Sequence, residues 1–220
     1  VGEDPTEYLF DHEPLAKPVV PIYNTLYKML PNYLSNANFP KLLGMLGAEY
    51  IIFHKDITYP RVDLVKAQNQ IETWEGVGKT KTFGKLDIYS IDLNIVKPKI
   101  YASGTLIKRG SINEVLDQVI SSGSNNDVFR TDFGVEINNR VVPHVSYNKI
   151  SNDKYQVRIK NSQAPYVLIL NNTYDSLWKA KVDNQVLDKH FIVNGFANGW
   201  LIDKKGDYEI EVRLVVWPWD

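Results

Sequence analysis

The chain has 220 residues, of which 44% are hydrophobic, and it carries a formal net charge of −1. This length can bury a sizeable core in one large domain or two small ones, and the near-zero charge gives no electrostatic reason to expect nucleic acid or an anionic membrane surface as a partner. The absence of cysteine excludes disulfides and thiolate metal sites.

The first part of the chain predicts an arm followed by a helix. Residues 1–21 are rich in acidic residues and proline, which is typical of an extended arm. Ile22, Leu26 and Leu30 recur at intervals of four, which predicts a helix that ends or kinks at Pro31. We expect Val1 to be an artificial boundary or a processed end, because the chain starts without an initiator methionine, a basic segment or a secretion-type apolar core.

The next segment mixes helix and strand signals. Residues 39–46 predict a short helix broken at Gly47, which leads into a strand over residues 50–53. Residues 61–74 predict an amphipathic helix that crosses over to a later strand. Its recurring apolar residues are Val62, Val65 and Ile71. Residues 83–91 alternate and predict a further strand, whose expected inward side chains are Leu86 and Ile88, with Tyr89 as a further candidate.

A well-marked helix closes this mixed region. Residues 100–102 predict one more strand, and Ser111 with Glu114 then forms a capping box. Apolar residues follow at helical spacing, and Gly123 is the expected stop. Residues 121–127 form a polar loop, so the sequence predicts a mixed α/β domain with its N-terminal arm over residues 1–128 and a second domain over residues 129–220.

The second domain reads almost entirely as strand and turn. Residues 166–170 form an apolar strand, and Trp178 shares one face with Ala180 and Val182. The last strand has a strict period of two. Its inward residues are Tyr208, Ile210, Val212 and Leu214. This series predicts an antiparallel β-sandwich from about residue 135 to residue 214, so the expected fold class is α+β.

Two stretches of the sequence resemble a known family. Trp178-Lys-Ala-Lys-Val-Asp183 and the segment over residues 42–53 are similar to the extracytoplasmic C-terminal domain of polytopic membrane proteins related to the C-type, lipid-linked-sugar glycosyltransferases of bacteria and archaea. Asn184 stands where the family pattern has a glycine, and asparagine tolerates left-handed backbone. Leu177 replaces the glycine that commonly precedes the tryptophan. The resemblance implies a sandwich like that of carbohydrate-binding modules, and a buried strand over residues 50–53.

No complete catalytic motif is present. The string from Gly76 to Thr80 imitates the end of a phosphate-binding loop, but it lies between a predicted helix and a predicted strand, the reverse of what such a loop needs. The triplet Asp132-Phe-Gly134 lacks its companion kinase motifs. The four histidines are widely scattered, which predicts no metal site. We therefore expect no cofactor, no metal and no catalytic residue in this chain.

The remaining candidate chemistry is sugar binding. Aromatic faces stack on sugar C–H surfaces while planar amides and carboxylates bind hydroxyls. The predicted site residues are Tyr174, Trp200, Asn172, Asn198 and Asp175. Tyr174 and Trp200 lie beside Gly and Asn in predicted turns, so both are expected to be exposed, whereas Trp178 is expected in the core. Asn171 begins an N-glycosylation sequon, which favours a surface position if the domain faces outside.

The resemblance implies the cellular setting. We expect a non-catalytic domain on the extracytoplasmic face of the cell membrane, held there by the missing part of its glycosyltransferase-like parent. It would dock a glycan or lipid-linked sugar, or support the membrane active site. The alternatives are a cell-surface structural or interaction domain without sugar binding and an independent carbohydrate-active enzyme. Trp217 and Trp219 follow the last strand, and aromatic residues are often found at a membrane interface. The alternative is that these two tryptophans belong to the core or to an exposed tail.

Overall fold

The computed structural model describes residues 35–57, 63–123, 127–130, 136–139, 141–163 and 165–215. The predictions for the acidic arm, the first helix, the Asp132-Phe-Gly134 triplet and the two terminal tryptophans fall outside those residues. Over the described ranges the chain is an α+β protein dominated by antiparallel β-sheets, as predicted. No helix in these ranges has both the length and the apolar character needed to cross a bilayer.

The described helices all precede residue 124. They are α1 Phe39–Met45, α2 Leu64–Thr73 and α3 Ile112–Ser122. The strands in and around this helical region are β1 Tyr50–His54, β2 Val77–Phe83, β3 Leu86–Ile91, β4 Ile100–Ser103, β5 Thr105–Lys108, β6 Phe129–Arg130 and β7 Ile137–Asn138. The later strands are β8 His144–Ser151, β9 Lys154–Ser162, β10 Tyr166–Thr173, β11 Trp178–Val182, β12 Gln185–Val186, β13 His190–Val193, β14 Ala197–Ile202 and β15 Gly206–Leu214.

The helix boundaries follow the local sequence signals. The Ser111 side chain accepts a hydrogen bond from the Glu114 backbone N–H, and α3 ends at Gly123 with φ +63°. Gly47 has φ +80° just after α1, which explains the break predicted there. α2 begins at Asp63, whose side chain accepts from the Lys66 backbone N–H. These boundaries depend on contacts within one or two turns of chain. The sequence predicted those at Ser111 and Gly47, whereas it placed the start of α2 at residue 61, ahead of the Asp63 cap.

A three-stranded sheet with the order β1-β3-β2 lies beside α2. β1 and β2 each pair antiparallel with β3, so they run in the same direction and α2 joins them. The prediction of a crossover helix is therefore confirmed. The buried face of α2 differs from the predicted one. Val65 was expected on that face but is 70% exposed, and the buried apolar residues of α2 are Ala67 and Ile71. The expected burial of residues 50–53 is also wrong, because Tyr50 and Ile52 are exposed.

The strand predicted over residues 83–91 is a hairpin with the opposite inward face. β2 ends at Phe83, the chain turns at Gly84, and β3 buries Asp87, Tyr89 and Ile91 instead of Leu86 and Ile88. The alternation of polar and apolar residues assigns Asp87 to the solvent-facing side of the strand, whereas the sheet buries it. The predicted inward side was wrong because the interior supplies partners for that carboxylate.

Those partners come from three elements. The Asp87 carboxylate lies 3.0 Å from the Lys55 ammonium and 3.1 Å from that of Lys79. Thr82 donates its hydroxyl to Asp87 at 2.7 Å, and Gln68 of α2 donates its amide at 3.2 Å. The Thr82 hydrogen bond and the two ammonium groups lower the pKa of Asp87 to about 2. The carboxylate stays ionised and paired between α2 and the sheet.

Two larger antiparallel sheets contain the C-terminal strands. Their orders are β13-β14-β10-β4 and β12-β11-β15-β9-β8. Side chains from both sheets form one hydrophobic cluster, which includes Trp178, Ala180 and Val182 as predicted. Asp183 and Asn184 have φ +50° and +63° in the turn from β11 to β12. The asparagine thus adopts the left-handed conformation for which the family pattern uses glycine.

The four-stranded sheet is covered on both faces. Alternate residues of β10 point to opposite sides: Leu168 and Leu170 join the cluster shared with the five-stranded sheet, while Val167 and Ile169 join a second cluster. α1 and α3 contribute Leu42 and Leu116, among others, to that second cluster. This double burial explains why β10 is an unbroken apolar run.

The predicted domain division at residues 128/129 stays a prediction. The structure adds that β4, which precedes the division, pairs antiparallel with β10, which follows it. Asn194, in the turn between β13 and β14, accepts a hydrogen bond from the Phe129 backbone N–H through its side chain. Hydrogen bonds and both hydrophobic clusters therefore connect the two predicted parts.

Candidate functional site

The predicted site residues converge where β10 leaves the four-stranded sheet. The register between β10 and β14 shifts between Leu170 and Thr173, and the chain then turns through Tyr174 and Asp175. β14 runs alongside and supplies Asn198 and Trp200, while β13 supplies His190. The sequence predicted Tyr174, Asp175, Asn198 and Trp200 as site residues but missed His190, and strand pairing brings His190 beside them.

Asn198 is the centre of the hydrogen bonding in this group. Its side-chain N–H₂ donates to the backbone carbonyls of Asn172 and Thr173, each at 3.0 Å. Its side-chain oxygen accepts from the Asp175 backbone N–H at 3.2 Å and lies 3.1 Å from Nε2 of His190. Asn198 is completely buried. Both donors and both acceptor positions of the amide are thus used within the protein.

An aromatic stack lies against this amide. The rings of His190 and Trp200 are nearly parallel, with centroids 4.6 Å apart, and the centroid of the tilted Tyr174 ring lies 4.9 Å from that of His190. Because the Asn198 oxygen can only accept, the neutral imidazole carries its proton on Nε2. The stack runs from half-buried Tyr174 at the surface to Trp200 in the interior.

The predicted exposure of Trp200 is wrong. Trp200 is 0% exposed and belongs to the cluster between the two larger sheets. The neighbouring glycine suggested a turn, but Gly199 lies within β14, where a Cβ would come within 2.5 Å of the Val193 side chain. Glycine is needed there for close packing, so it gives no sign of a loop.

Two more predicted surface positions are interior ones. Asn198 is buried as described above, and Asn171 is only 8% exposed, with its amide donating to the Met45 carbonyl at 3.4 Å. The inference of a surface position from the sequon is therefore wrong, because this segment of β10 packs against α1. Asn172, Tyr174 and Asp175 are half-buried and remain at the rim.

Burial in the stack changes the acidity of His190. Loss of solvent lowers the pKa of His190 to about 4 from its ordinary value of 6.5, and Lys179 lowers it further. The hydrogen bond to Asn198 and the charge of Asp175 act in the opposite direction. The neutral imidazole is therefore the form that the folded protein favours.

We expect His190 to make the protein less stable in mild acid. Between pH 6.5 and about 4 the unfolded chain binds a proton at this residue that the folded chain does not, so the free energy of unfolding falls as pH falls. Because the side chain is partly solvated, we expect about 1 kcal/mol to be lost between pH 7 and 5. Urea denaturation of wild type and His190→Gln at both pH values measures this.

His144, exposed on β8, provides the control. The His144→Gln variant should keep the wild-type pH dependence, whereas His190→Gln should reduce it. An equal decline in the wild type and the His190→Gln variant would contradict the assignment.

Neither a metal cluster nor a phosphate-binding loop is found among the described residues. They contain no group of three or more His, Asp or Glu side chains that could hold a metal ion. Gly76 has φ +75° in a turn between α2 and β2. A phosphate-binding loop would open a helix at that point, and here a strand follows, as the sequence predicted.

An open groove beside β4 is a feature that sequence reasoning missed. It encloses about 400 Å³. Its lining includes Lys97, Tyr101, Thr105, Asp127, Asn138 and Asn139. The Lys97 ammonium lies 5.9 Å from the centroid of the Tyr101 ring, and burial lowers the pKa of Lys97. These residues are far apart in sequence, so no local signal indicated them.

Comparisons of the chain with protein-family models, with curated proteins and with solved structures found no match.

Proposed function

We propose that this chain is a non-catalytic, extracytoplasmic part of a membrane protein related to C-type glycosyltransferases, and that it supports the membrane active site as a rigid body. The sequence resemblance at Trp178 to Asp183 and over residues 42–53 suggests the parent. The observation that carries the supporting role is the four-stranded sheet, which is buried on both faces. One sheet thereby joins the helical region to the C-terminal strands.

In this proposal the two larger sheets form a β-sandwich of the kind found in carbohydrate-binding modules. Their shared hydrophobic cluster and antiparallel pairing support that reading. The left-handed backbone at Asn184 supports the family pattern, since that conformation is what the usual glycine provides.

The aromatic residue that was expected to bind sugar is buried, which favours the supporting role over sugar docking at the Trp200 site. A sugar-binding tryptophan must offer one ring face to the ligand. One face of the Trp200 ring stacks on His190, and the residue has no solvent exposure. The Asn198 amide, which was expected to bind hydroxyls, already has four partners in the protein.

Docking of a glycan or lipid-linked sugar is the second candidate, and the groove beside β4 favours it. Tyr101 and the exposed Asn138 amide have the chemistry that holds sugar hydroxyls, whereas the Asn139 amide already forms hydrogen bonds with Pro165 and Val141. Lys97 adds a positive charge suited to a sugar phosphate. The groove is open, so a ligand could enter without rearrangement.

A titration distinguishes the two candidates. The ¹⁵N-labelled chain is mixed with mono- and oligosaccharides and with a soluble sugar phosphate at up to about 10 mM, a range that covers weak binding. The supporting role predicts no saturable shift in the NMR spectrum. Saturable shifts that centre on residues 97–105 and disappear in Asn138→Ala would show that a ligand docks in the groove, and would contradict a purely supporting role.

Two other outcomes would overturn more of the proposal. Shifts centred on Tyr174 would indicate that sugar binds at the site that the sequence predicted. Turnover of a nucleotide or glycoside by the purified chain would show that it is an enzyme. The sequence of the full-length gene tests whether the chain is part of a membrane protein. We expect it to encode adjoining membrane-spanning segments, and their absence would favour a cell-surface interaction domain.

A further inference from the structure

The outer face of the sheet β1-β3-β2 is apolar and exposed. α2 covers the inner face, where Trp74 and Tyr89 enter the second cluster. Alternation along the strands sends a different set of side chains outward. The apolar members of this outer face are Tyr50, Ile52, Phe83, Leu86 and Ile88. Tyr50, Ile52 and Phe83 are 61%, 58% and 51% exposed.

These apolar side chains are contiguous. Ile52 of β1 lies directly opposite Ile88 of β3, and Phe83 of β2 lies opposite Leu86 of the same strand. They therefore form a band across the sheet that ends at the hairpin turn. Gly84 has φ +57° in that turn, and a Cβ there would meet no atom within 4 Å, so the hairpin end projects from the molecule.

The outward-facing residues of the three described strands include a lysine and no carboxylate. Asp87 is the only acidic residue in β1, β2 and β3, and it points inward to its partners. The outward face carries Lys81, whose ammonium lies 4.4 Å from the centroid of the Phe83 ring, and Lys85 follows in the exposed turn. At the rim of the face, the Asp56 carboxylate lies 3.9 Å from Nδ1 of His54.

We propose that this outer face docks on an anionic lipid surface. Half-exposed aliphatic and aromatic side chains can enter the boundary between headgroups and acyl chains, while adjacent lysines reach lipid phosphates. The overall charge of −1 gives no reason for such binding, but the local distribution does, because Lys81 and Lys85 lie next to the apolar band.

A second copy of the chain fits this face less well. Self-association would bring together two faces that each carry lysine and no carboxylate, so their charges would repel. A lipid surface supplies many phosphates and a flat apolar layer, which complements both properties. This inference does not rest on the proposed function, since it depends only on a surface distant in sequence from the sugar-binding candidates.

Vesicle co-sedimentation tests the proposal with the full chain. Vesicles of phosphatidylglycerol mixed with phosphatidylcholine should bind the protein, and vesicles of phosphatidylcholine alone should bind it at least about tenfold more weakly. Raising the salt from about 0.1 M to 0.5 M should weaken binding to the anionic vesicles, because salt screens charges at the surface.

Three variants locate the surface. The double variant Ile52→Ser, Phe83→Ser should reduce binding about tenfold or more, because it removes two inserting side chains. Lys81→Glu should reduce it by reversing one charge. Val65→Ser is the control, since Val65 is even more exposed than Ile52 and Phe83 but lies on α2, which covers the opposite face. Its binding should equal that of the wild type. Circular dichroism melting verifies that each variant is folded.

Several results would overturn the proposal. These are no binding to anionic vesicles, equal binding to neutral ones, and equal loss in the Val65→Ser control. Dimerisation of the wild type that the Ile52→Ser, Phe83→Ser variant abolishes would assign the face to a second copy. Slow hydrogen exchange of the Tyr50 and Ile52 amides, together with unchanged exchange on adding vesicles, would show that another part of the chain covers it.

Discussion

Replacing Trp200 with alanine is expected to lower the free energy of unfolding by about 3–5 kcal/mol. The side chain is fully buried between the two larger sheets, so its removal leaves a cavity among residues that cannot collapse inward without distorting two sheets. It also leaves one face of the His190 ring without its stacking partner. Urea denaturation followed by circular dichroism measures the loss.

Trp200→Phe leaves a smaller cavity and also removes an unpaired polar group. The indole N–H of Trp200 is buried and has no hydrogen-bond partner among the residues that the structure describes. Phenylalanine removes that group while keeping much of the ring. We expect a loss of about 1–2 kcal/mol, well below that of the alanine variant. If Trp200→Ala were as stable as the wild type, the interior placement of this residue would be contradicted.

Trp178→Ala is expected to have an effect of the same size, about 3–5 kcal/mol. Trp178 begins β11, pairs with Leu214 of β15, and lies 6.2 Å from the Tyr155 ring of β9. Three strands of the five-stranded sheet therefore meet at this side chain. We expect a lower urea midpoint with an unchanged slope, because the variant loses stability without altering the surface exposed on unfolding.

The neighbouring Leu177 is the control for this variant. It is exposed in the turn before β11, so Leu177→Ala should change the free energy of unfolding by less than about 0.5 kcal/mol. If the two variants had equal effects, the cluster between the sheets would not depend on Trp178 in the way described.

Local signals were sufficient for much of the fold. The cap at Ser111, the break at Gly47 and the inward face of β11 depend on contacts a few residues apart, and each was predicted from the sequence. The unbroken apolar run of β10 indicated a strand, although its burial on both faces became clear only from the packing of α1 and α3.

The errors arose where partners come from distant parts of the chain. The inward side of β3 was assigned from polarity, and the pattern could not show that Lys55 and Lys79 neutralise Asp87 inside the sheet. Trp200 was assigned to a turn because of Gly199, whose role depends on the Val193 side chain of a neighbouring strand. Likewise, no local pattern indicated the groove beside β4.

The sequence named candidate site residues, but it could not show how their side chains are arranged. Asn198 and His190 contact each other through pairing of β13 with β14, and Tyr174 joins them because β10 ends beside the same strand. Side-chain type had suggested Asn198 and Tyr174 as members of one site, but it gave no indication of His190. Their direction, into the protein, depends on which sheet face is covered.

Native-state hydrogen exchange tests the central claim, that the four-stranded sheet joins the whole described structure into one rigid body. We expect amides of β10, β4 and α3 to exchange only through global unfolding, with one common free energy that equals the value from urea denaturation. If β4 and α3 opened at a clearly lower free energy than β10, the helical region would be a separate unit and the supporting role would be contradicted.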